Sequence, residues 1–209
     1  MCHCVKSPDL FDPVEDKKNE LRTLIRAQRQ RKSTALRNQA EQLICHHLSL
    51  LTKPYSVIAC YVPFGTEIGL TQFINDEQQK GAQILLPRLG PRLSRAWAWF
   101  KSWDDLEESA PGRPLQPRGE VLEAQAVAQA QCVIVPALAT DRSGTRLGQG
   151  GGWYDRVLSF VEDDIPIVAV HYDEEFFETT YLPSLPHDHP VTISVTPHHV
   201  YHVRPHPHD

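Results

Sequence analysis

Thirteen residues carry the densest chemistry in this chain: Gly144–Arg156, GTRLGQGGGWYDR, of which five are glycine. They follow the apolar run Cys132–Ala139 and lead into a helix-like run, WYDRVLSFV. A strand that breaks into a glycine-rich loop before a helix makes an anion site, because bare amides point outward and glycines let a phosphate approach the backbone. Arg142, Arg146 and Arg156 add cations on either side. A second set of cations, Lys18, Arg22, Arg26 and Arg29, steps by three or four residues and so shares one helix face. It reads either as a solvated cationic face or as a stripe reaching over a polyphosphate. Glu67 follows a strand end, where ligands gather in open α/β sheets. Asp188 lies in a proline-framed loop near the end.

The elements that must position these residues follow from periodicity. Asp12-Pro13 is a helix start, a carboxylate cap followed by a first-turn proline, with Leu21, Leu24, Ile25 and Gln28 on one face. Ser33 caps a second helix, which ends near Lys53-Pro54. Tyr55–Pro63, Gln83–Leu89, Ala96–Lys101, Cys132–Leu138, Ile165–Tyr172 and Val191–Thr196 read as strands, and Thr71–Lys80 as a short helix. Residues 103–119 read as a loop or short helix that could serve as a lid, and Glu120–Gln131 as moderately helical. Tyr154–Val161 is the helix after the glycine loop. Strands alternating with helices predict a layered, Rossmann-like α/β fold with a mostly parallel central sheet flanked by helices. The expected organisation is one domain over residues 12–197, a flexible lead at 1–11 and a flexible histidine-rich tail at 198–209.

Composition narrows the function. The net charge of -5 speaks against a general nucleic-acid binder. No stretch of about 18 apolar residues exists, so no membrane association is expected. The N-terminus lacks the apolar run of a signal peptide, which makes the cytoplasm the default location and free thiols the expected state of the five cysteines. Cys2, His3 and Cys4 lack a second ligand cluster, and the five histidines of the last twelve residues read as a pH-sensitive tail. Two common phosphate motifs fail on particular residues. No glycine-lysine pair is followed by a hydroxyl residue, and Trp153 stands where the last glycine of GxGxxG would be.

The longer string is more specific. Val133–Leu158, VIVPALATDRSGTRLGQGGGWYDRVL, resembles the signature region of the 5-formyltetrahydrofolate cyclo-ligase (5,10-methenyltetrahydrofolate synthetase) family. The resemblance runs from about Lys17 to Thr196. The family's KxxLR matches Lys18, Leu21 and Arg22; its strand-then-EI element matches Tyr61–Ile68, with Glu67 as the glutamate; its HDxP matches His187, Asp188 and Pro190. Three positions depart: Trp153 replaces the first tyrosine of GYYD, Thr192 replaces an acid, and Gly69 replaces another.

The resemblance implies an ATP- and Mg2+-dependent ligase, expected as a monomer, acting on a reduced folate. ATP would phosphorylate the formyl oxygen of 5-formyltetrahydrofolate, a neighbouring nitrogen would attack the activated carbon, and 5,10-methenyltetrahydrofolate, ADP and phosphate would result. By position, ATP would be held by Lys18, Asn19, Glu20, Leu21 and Arg22 and by Arg146, Leu147, Gly148, Gln149, Gly150, Gly151, Gly152, Trp153 and Tyr154. Val62, Glu67 and Gln149–Trp153 would border the folate, with Glu67 on the pterin's amide-like edge. Arg146 and Tyr154 would be catalytic, and Asp155 and Asp188 would sit near magnesium. Two rival readings make different predictions. A sugar-phosphate isomerase or acyl-group transferase would turn over without ATP, and a non-catalytic nucleotide- or metal-binding module would bind metal tightly without turnover.

Overall fold

In the computed structural model, residues 12–203 are described. The strands, in chain order, are β1 Val57–Ala59, β2 Gln83–Leu89, β3 Arg95–Trp99, β4 Leu106–Glu108, β5 Leu115–Pro117, β6 Leu122–Glu123, β7 Cys132–Pro136, β8 Ala139–Asp141, β9 Arg146–Leu147, β10 Ile167–Val170, β11 Phe176–Phe177, β12 Ile193–Val195 and β13 Val200–His202. The α-helices are α1 Pro13–Gln30, α2 Thr34–Leu51, α3 Thr71–Gln79 and α4 Trp153–Val157. Eight strands form the main sheet in the order β13-β12-β10-β7-β1-β2-β3-β6, parallel from β12 through β2. This is the expected layered α/β architecture. No helix among the described residues is long and apolar enough to cross a membrane.

The alternation of side chains across the pleat divides the core in two. Ile58, Ile134, Val168 and Val170 face α2 and α3, where Ile44, Leu48, Phe73 and Ile74 are wholly buried. Ala59, Val133, Val135 and Ala169 face the other way, against Trp97, Val127, Val157 and Leu158. Strands buried on both faces must be apolar at nearly every position, which is why CVIVP and IVAV read as continuous hydrophobic runs. Cys45, Cys60 and Cys132 are buried free thiols in this core. Burial pushes the Cys45 and Cys132 thiols up to about 12.

β1 leads through α3 to β2 on one side, whereas β7 leads to β10 on the other. The chain therefore reverses direction across the sheet between β1 and β7, and a crevice opens beyond their carboxyl ends. Both strands deliver their following loops into that crevice.

Several expectations need correction. Residues 200–202, within the segment assigned to a flexible tail, belong to the sheet: β13 pairs antiparallel with β12, Ser194 opposite Tyr201. Asp173 holds the turn before it, accepting from the Thr196 hydroxyl (2.6 Å) and the His198 amide (3.1 Å). His206, His208, Cys2, His3 and Cys4 lie outside the described residues. Residues 103–119 contain the β4–β5 hairpin, and residues 120–131 hold β6 and a 3-10 helix, Ala124–Gln129, rather than an α-helix. The helix after the glycine loop is only five residues long and continues as a 3-10 turn, Leu158–Phe160. Its macrodipole is correspondingly short, so an anion there would rely on loop amides and side chains rather than on the helix.

Candidate active site

A cavity of about 720 Å3 occupies the crevice. Its walls come from five places: α1, the loop after β1, the β2–β3 and β4–β5 hairpins, the glycine loop with α4, and the late loop that carries His187 and Asp188.

The glycine loop is anchored before it begins. Asp141, fully buried at the end of β8, accepts from the Ser143 amide (2.9 Å), the Ser143 hydroxyl (2.6 Å) and the Thr145 amide (3.1 Å) with Oδ1, and from the Leu182 amide (2.7 Å) with Oδ2. This ties the 141–145 turn to the 182 segment. Gly144 has φ +86°, and a Cβ there would stand 2.4 Å from the Val191 carbonyl oxygen, so only glycine fits. The turn sends β9 back antiparallel to β8 and places Arg146 on the cavity wall. Asp141 carried no local sequence signal beyond its place in ATDRSG; its role depends on the distant Leu182 amide.

Arg146 is buried. Its Nη2 donates to Asp155 (2.8 Å), its guanidinium lies 5.6 Å from the Tyr154 ring centre, and its buried Nε has no partner. Gly148 exists to admit it: a Cβ there would be 2.6 Å from Nη1. Beyond, Gly150 (φ +98°) and Gly152 (φ +56°) turn the backbone, and the amides of Gly150, Gly151 and Gly152 have no acceptor among the described residues.

α1 supplies the facing wall. Asp12 caps it, accepting from Val14 N at 3.0 Å, and Ile25 seats it against Leu138, Ala139, Leu147 and Leu182. The cationic stripe divides into three parts. Lys18 pairs with Asp188, and Arg22 donates to the Gly148 carbonyl (3.0 Å), Glu15 (2.6 Å) and Asn19 (2.7 Å); both line the cavity. Arg26 clasps Gln149, donating to its side-chain and backbone oxygens. Arg29 is buried away from the cavity in a two-pronged bridge to Glu175 (2.7 Å each) and donates to the Ala137 carbonyl (2.6 Å). Asn19, Glu20 and Leu21 do not line the cavity. Asn19 holds Arg22, Leu21 packs beneath α1, and Glu20 is exposed. Arg142 also points elsewhere, to Glu178 (3.1 Å).

The loop after β1 closes a third side with Tyr61, Val62 and Glu67. Glu67 accepts from the Phe64 amide (2.9 Å) and from Gln149 Nε2 (3.3 Å), which links this loop to the glycine loop. Burial raises its carboxyl above the ordinary range, opposed by those two hydrogen bonds. Tyr61, wholly buried, donates to the Ile68 carbonyl (2.9 Å) and fixes the loop's path. Tyr154 is held well above the ordinary tyrosine range by burial and then by nearby Glu67.

Asp155 and Asp188 both line the cavity, and each is already bound to a cation, Arg146 and Lys18 respectively. Each keeps one oxygen without a close N–H donor: Asp155 Oδ2 and Asp188 Oδ1, which has only His187 Nε2 at 3.9 Å. Among the described residues no cluster of three or more metal-binding side chains exists. That donor set fits magnesium, which takes one or two carboxylates and completes its shell with water and substrate phosphates. Sequence reasoning missed Glu15, Tyr61, Arg88, Arg95, Arg113, Gln116 and His187 as cavity residues.

A cavity at the switch point of a parallel sheet, walled by three buried cations and a run of free glycine amides, marks an α/β protein with a cationic crevice. A family model described as the 5-formyltetrahydrofolate cyclo-ligase family matches residues 14–197. The 5-formyltetrahydrofolate cyclo-ligase of Mycolicibacterium smegmatis is 31% identical over 185 residues, covering 86% of this chain and 93% of that one. The structure of Aquifex aeolicus 5,10-methenyltetrahydrofolate synthetase is similar at a TM-score of 0.75 and 27% identity, covering 91% of this chain and 95% of that one. A synthetase from Mycoplasma pneumoniae shares the fold at a TM-score of 0.66 and 20% identity, covering 85% and 96%. This chain belongs to the 5-formyltetrahydrofolate cyclo-ligase family and is an enzyme of the ligase class.

Proposed function

We propose that the chain converts 5-formyltetrahydrofolate and ATP to 5,10-methenyltetrahydrofolate, ADP and phosphate, with magnesium. The γ-phosphoryl group passes to the formyl oxygen. A neighbouring nitrogen then attacks the formyl carbon, and the oxygen departs with the phosphate. The observation that carries this reading is Arg146, a buried guanidinium with a free Nε, set between glycine amides and an aspartate.

Such a reaction asks for positioning and charge neutralisation more than covalent work by the protein. Lys18, Arg22 and Arg146 meet the phosphates with the amides of Gly150–Gly152. Arg146 is placed to neutralise charge on the group in transit. Asp155 and Asp188 would hold magnesium, which supplies charge neutralisation across the phosphates when bound. Glu67, beside Val62 and Tyr61, accepts hydrogen bonds from the pterin's amide-like edge. Gln149 touches both Glu67 and Arg26, so it couples the folate wall to α1.

The test is spectroscopic detection of the methenyl product from 5-formyltetrahydrofolate, with and without ATP. Product only with ATP is the expected result. Folded protein that forms none, or that turns over equally without ATP, overturns the reading.

A further inference from the structure

Three cavity arginines are unused by this chemistry. Arg95 opens β3, Arg113 lies between β4 and β5, and Arg156 lies on α4. The cations of the inner wall all have carboxylate partners: Lys18 with Asp188, Arg22 with Glu15, and Arg146 with Asp155. Arg88 stands within 3.8 Å of Glu107. Arg95, Arg113 and Arg156 have no carboxylate partner among the described residues, and Arg95 Nε is buried without a hydrogen bond.

The fold brings two of them together. Trp97 and Trp153 meet edge to face with ring centres 5.0 Å apart, joining β3 to α4. Arg95 lies two residues before Trp97 and Arg156 three after Trp153, so each shares a face with its tryptophan. Trp153, Arg95 and Arg156 all line the cavity. Partial burial, and then the charge of Arg156, hold Arg95 below the ordinary arginine range. Two cations converging without a counter-ion form a site whose occupant is negative.

The site is also displaced from the end of β1. Ala59 is level with Leu85, and Leu89 with Arg95, so the β2–β3 hairpin overhangs β1 by four residues, roughly 13 Å at strand rise. Leu89, Leu93 and Leu115 line this wall, and Leu93 and Leu115 are 65% and 45% exposed. Apolar surface beside unpaired arginines suits an aromatic ring that carries carboxylates. The planar guanidinium fork matches carboxylate geometry.

We propose that Arg95, Arg113 and Arg156 form a carboxylate subsite that holds the glutamyl end of the reduced folate, with Leu93 and Leu115 against the arene that precedes it. This rests on the folate reading above and names which end of that substrate meets which wall.

The experiment compares 5-formyltetrahydrofolate with 5-formyltetrahydropteroate, which lacks the glutamate, in the full chain and in Arg95→Ala and Arg156→Ala variants. In the unsubstituted protein KM should be about tenfold higher for the pteroate, the worth of one charge-assisted hydrogen bond. In the variants that ratio should collapse toward one while KM for ATP stays put, and Arg95→Lys should restore part of it. An unchanged ratio, or a KM for ATP that rises with that for folate, overturns the subsite. If the unsubstituted protein forms no product, the reaction assignment fails by itself. Calorimetry with N-(4-aminobenzoyl)-glutamate then decides the subsite. Binding weakened about tenfold by Arg156→Ala, an exposed position, supports it, and no binding or equal binding overturns it.

Discussion

Two arginine–carboxylate pairs in this molecule use the same chemistry for different ends. Arg29 meets Glu175 through two prongs, both side chains are buried, and Nη2 also finds the Ala137 carbonyl. Arg146 meets Asp155 through one nitrogen, its Nε is left without a partner, and its long contact to the Pro136 carbonyl is 3.4 Å. The first pair is complete and lies away from the cavity. The second is incomplete and lies on the cavity wall. A buried charge with unspent donors is costly in the free protein, so its persistence points to a ligand that completes it.

The comparison can be broken by exchanging the two losses. Arg146→Ala should lower kcat about 10²–10³-fold, as removal of one well-placed donor to developing charge does, with a much smaller change in unfolding free energy. Arg29→Ala should do the reverse and destabilise the fold by about 3–5 kcal/mol, because Glu175 would be left buried without its partner. Denaturant unfolding beside steady-state kinetics reads both. Equal effects on the two quantities in either variant would erase the distinction. Gly148→Ala sharpens it: the new methyl group would displace the Arg146 guanidinium while leaving every charge in place. We expect kcat to fall about tenfold or more, with little loss of stability.

The smallest expected effect is one of pH. Burial raises the Glu67 carboxyl above its ordinary 4.5. Ionisation is thus harder in the folded than in the unfolded chain. The penalty is absent at low pH, where both states are protonated, and complete once pH exceeds the folded pKa. Glu67→Gln should therefore match the unsubstituted protein in Tm near pH 4 and exceed it modestly at pH 7. A gap that closes with rising pH would contradict this. His171 titrates in the opposite sense: burial lowers it to about 4, so its contribution is full above about 6.5 and is lost as pH falls toward 4. Its Nδ1 donates to the Tyr172 carbonyl (2.8 Å), which leaves Nε2 to accept from the Thr140 or Ser194 hydroxyl.

The same contrast marks what sequence can reveal. Period-two and period-3.6 patterns are local, and they located α1, α2, α3, β2, β3, β7, β10 and β12 to within a few residues. The glycine loop was legible because a strand, glycines and an arginine fall within thirteen residues. Arg29 was not, because its place in the stripe matched that of Lys18 and Arg22; only the distant Glu175 distinguishes it. Arg95 and Arg113 escaped notice for a similar reason, and Arg156 was read only as a cation beside the glycine loop. The three lie on separate parts of the chain, and only the folded cavity wall brings them together. β13 was hidden by composition: a strand of three residues among histidines looks like tail until Ser194 is seen opposite Tyr201.

The contact between Trp97 and Trp153 has an optical consequence. One indole is locked in the core and the other opens α4 directly after the glycines. Any ligand that resettles those glycines will alter the surroundings of a native fluorophore. The protein thus carries its own emission signal for occupancy, one that needs no label and that Trp153→Tyr should largely extinguish.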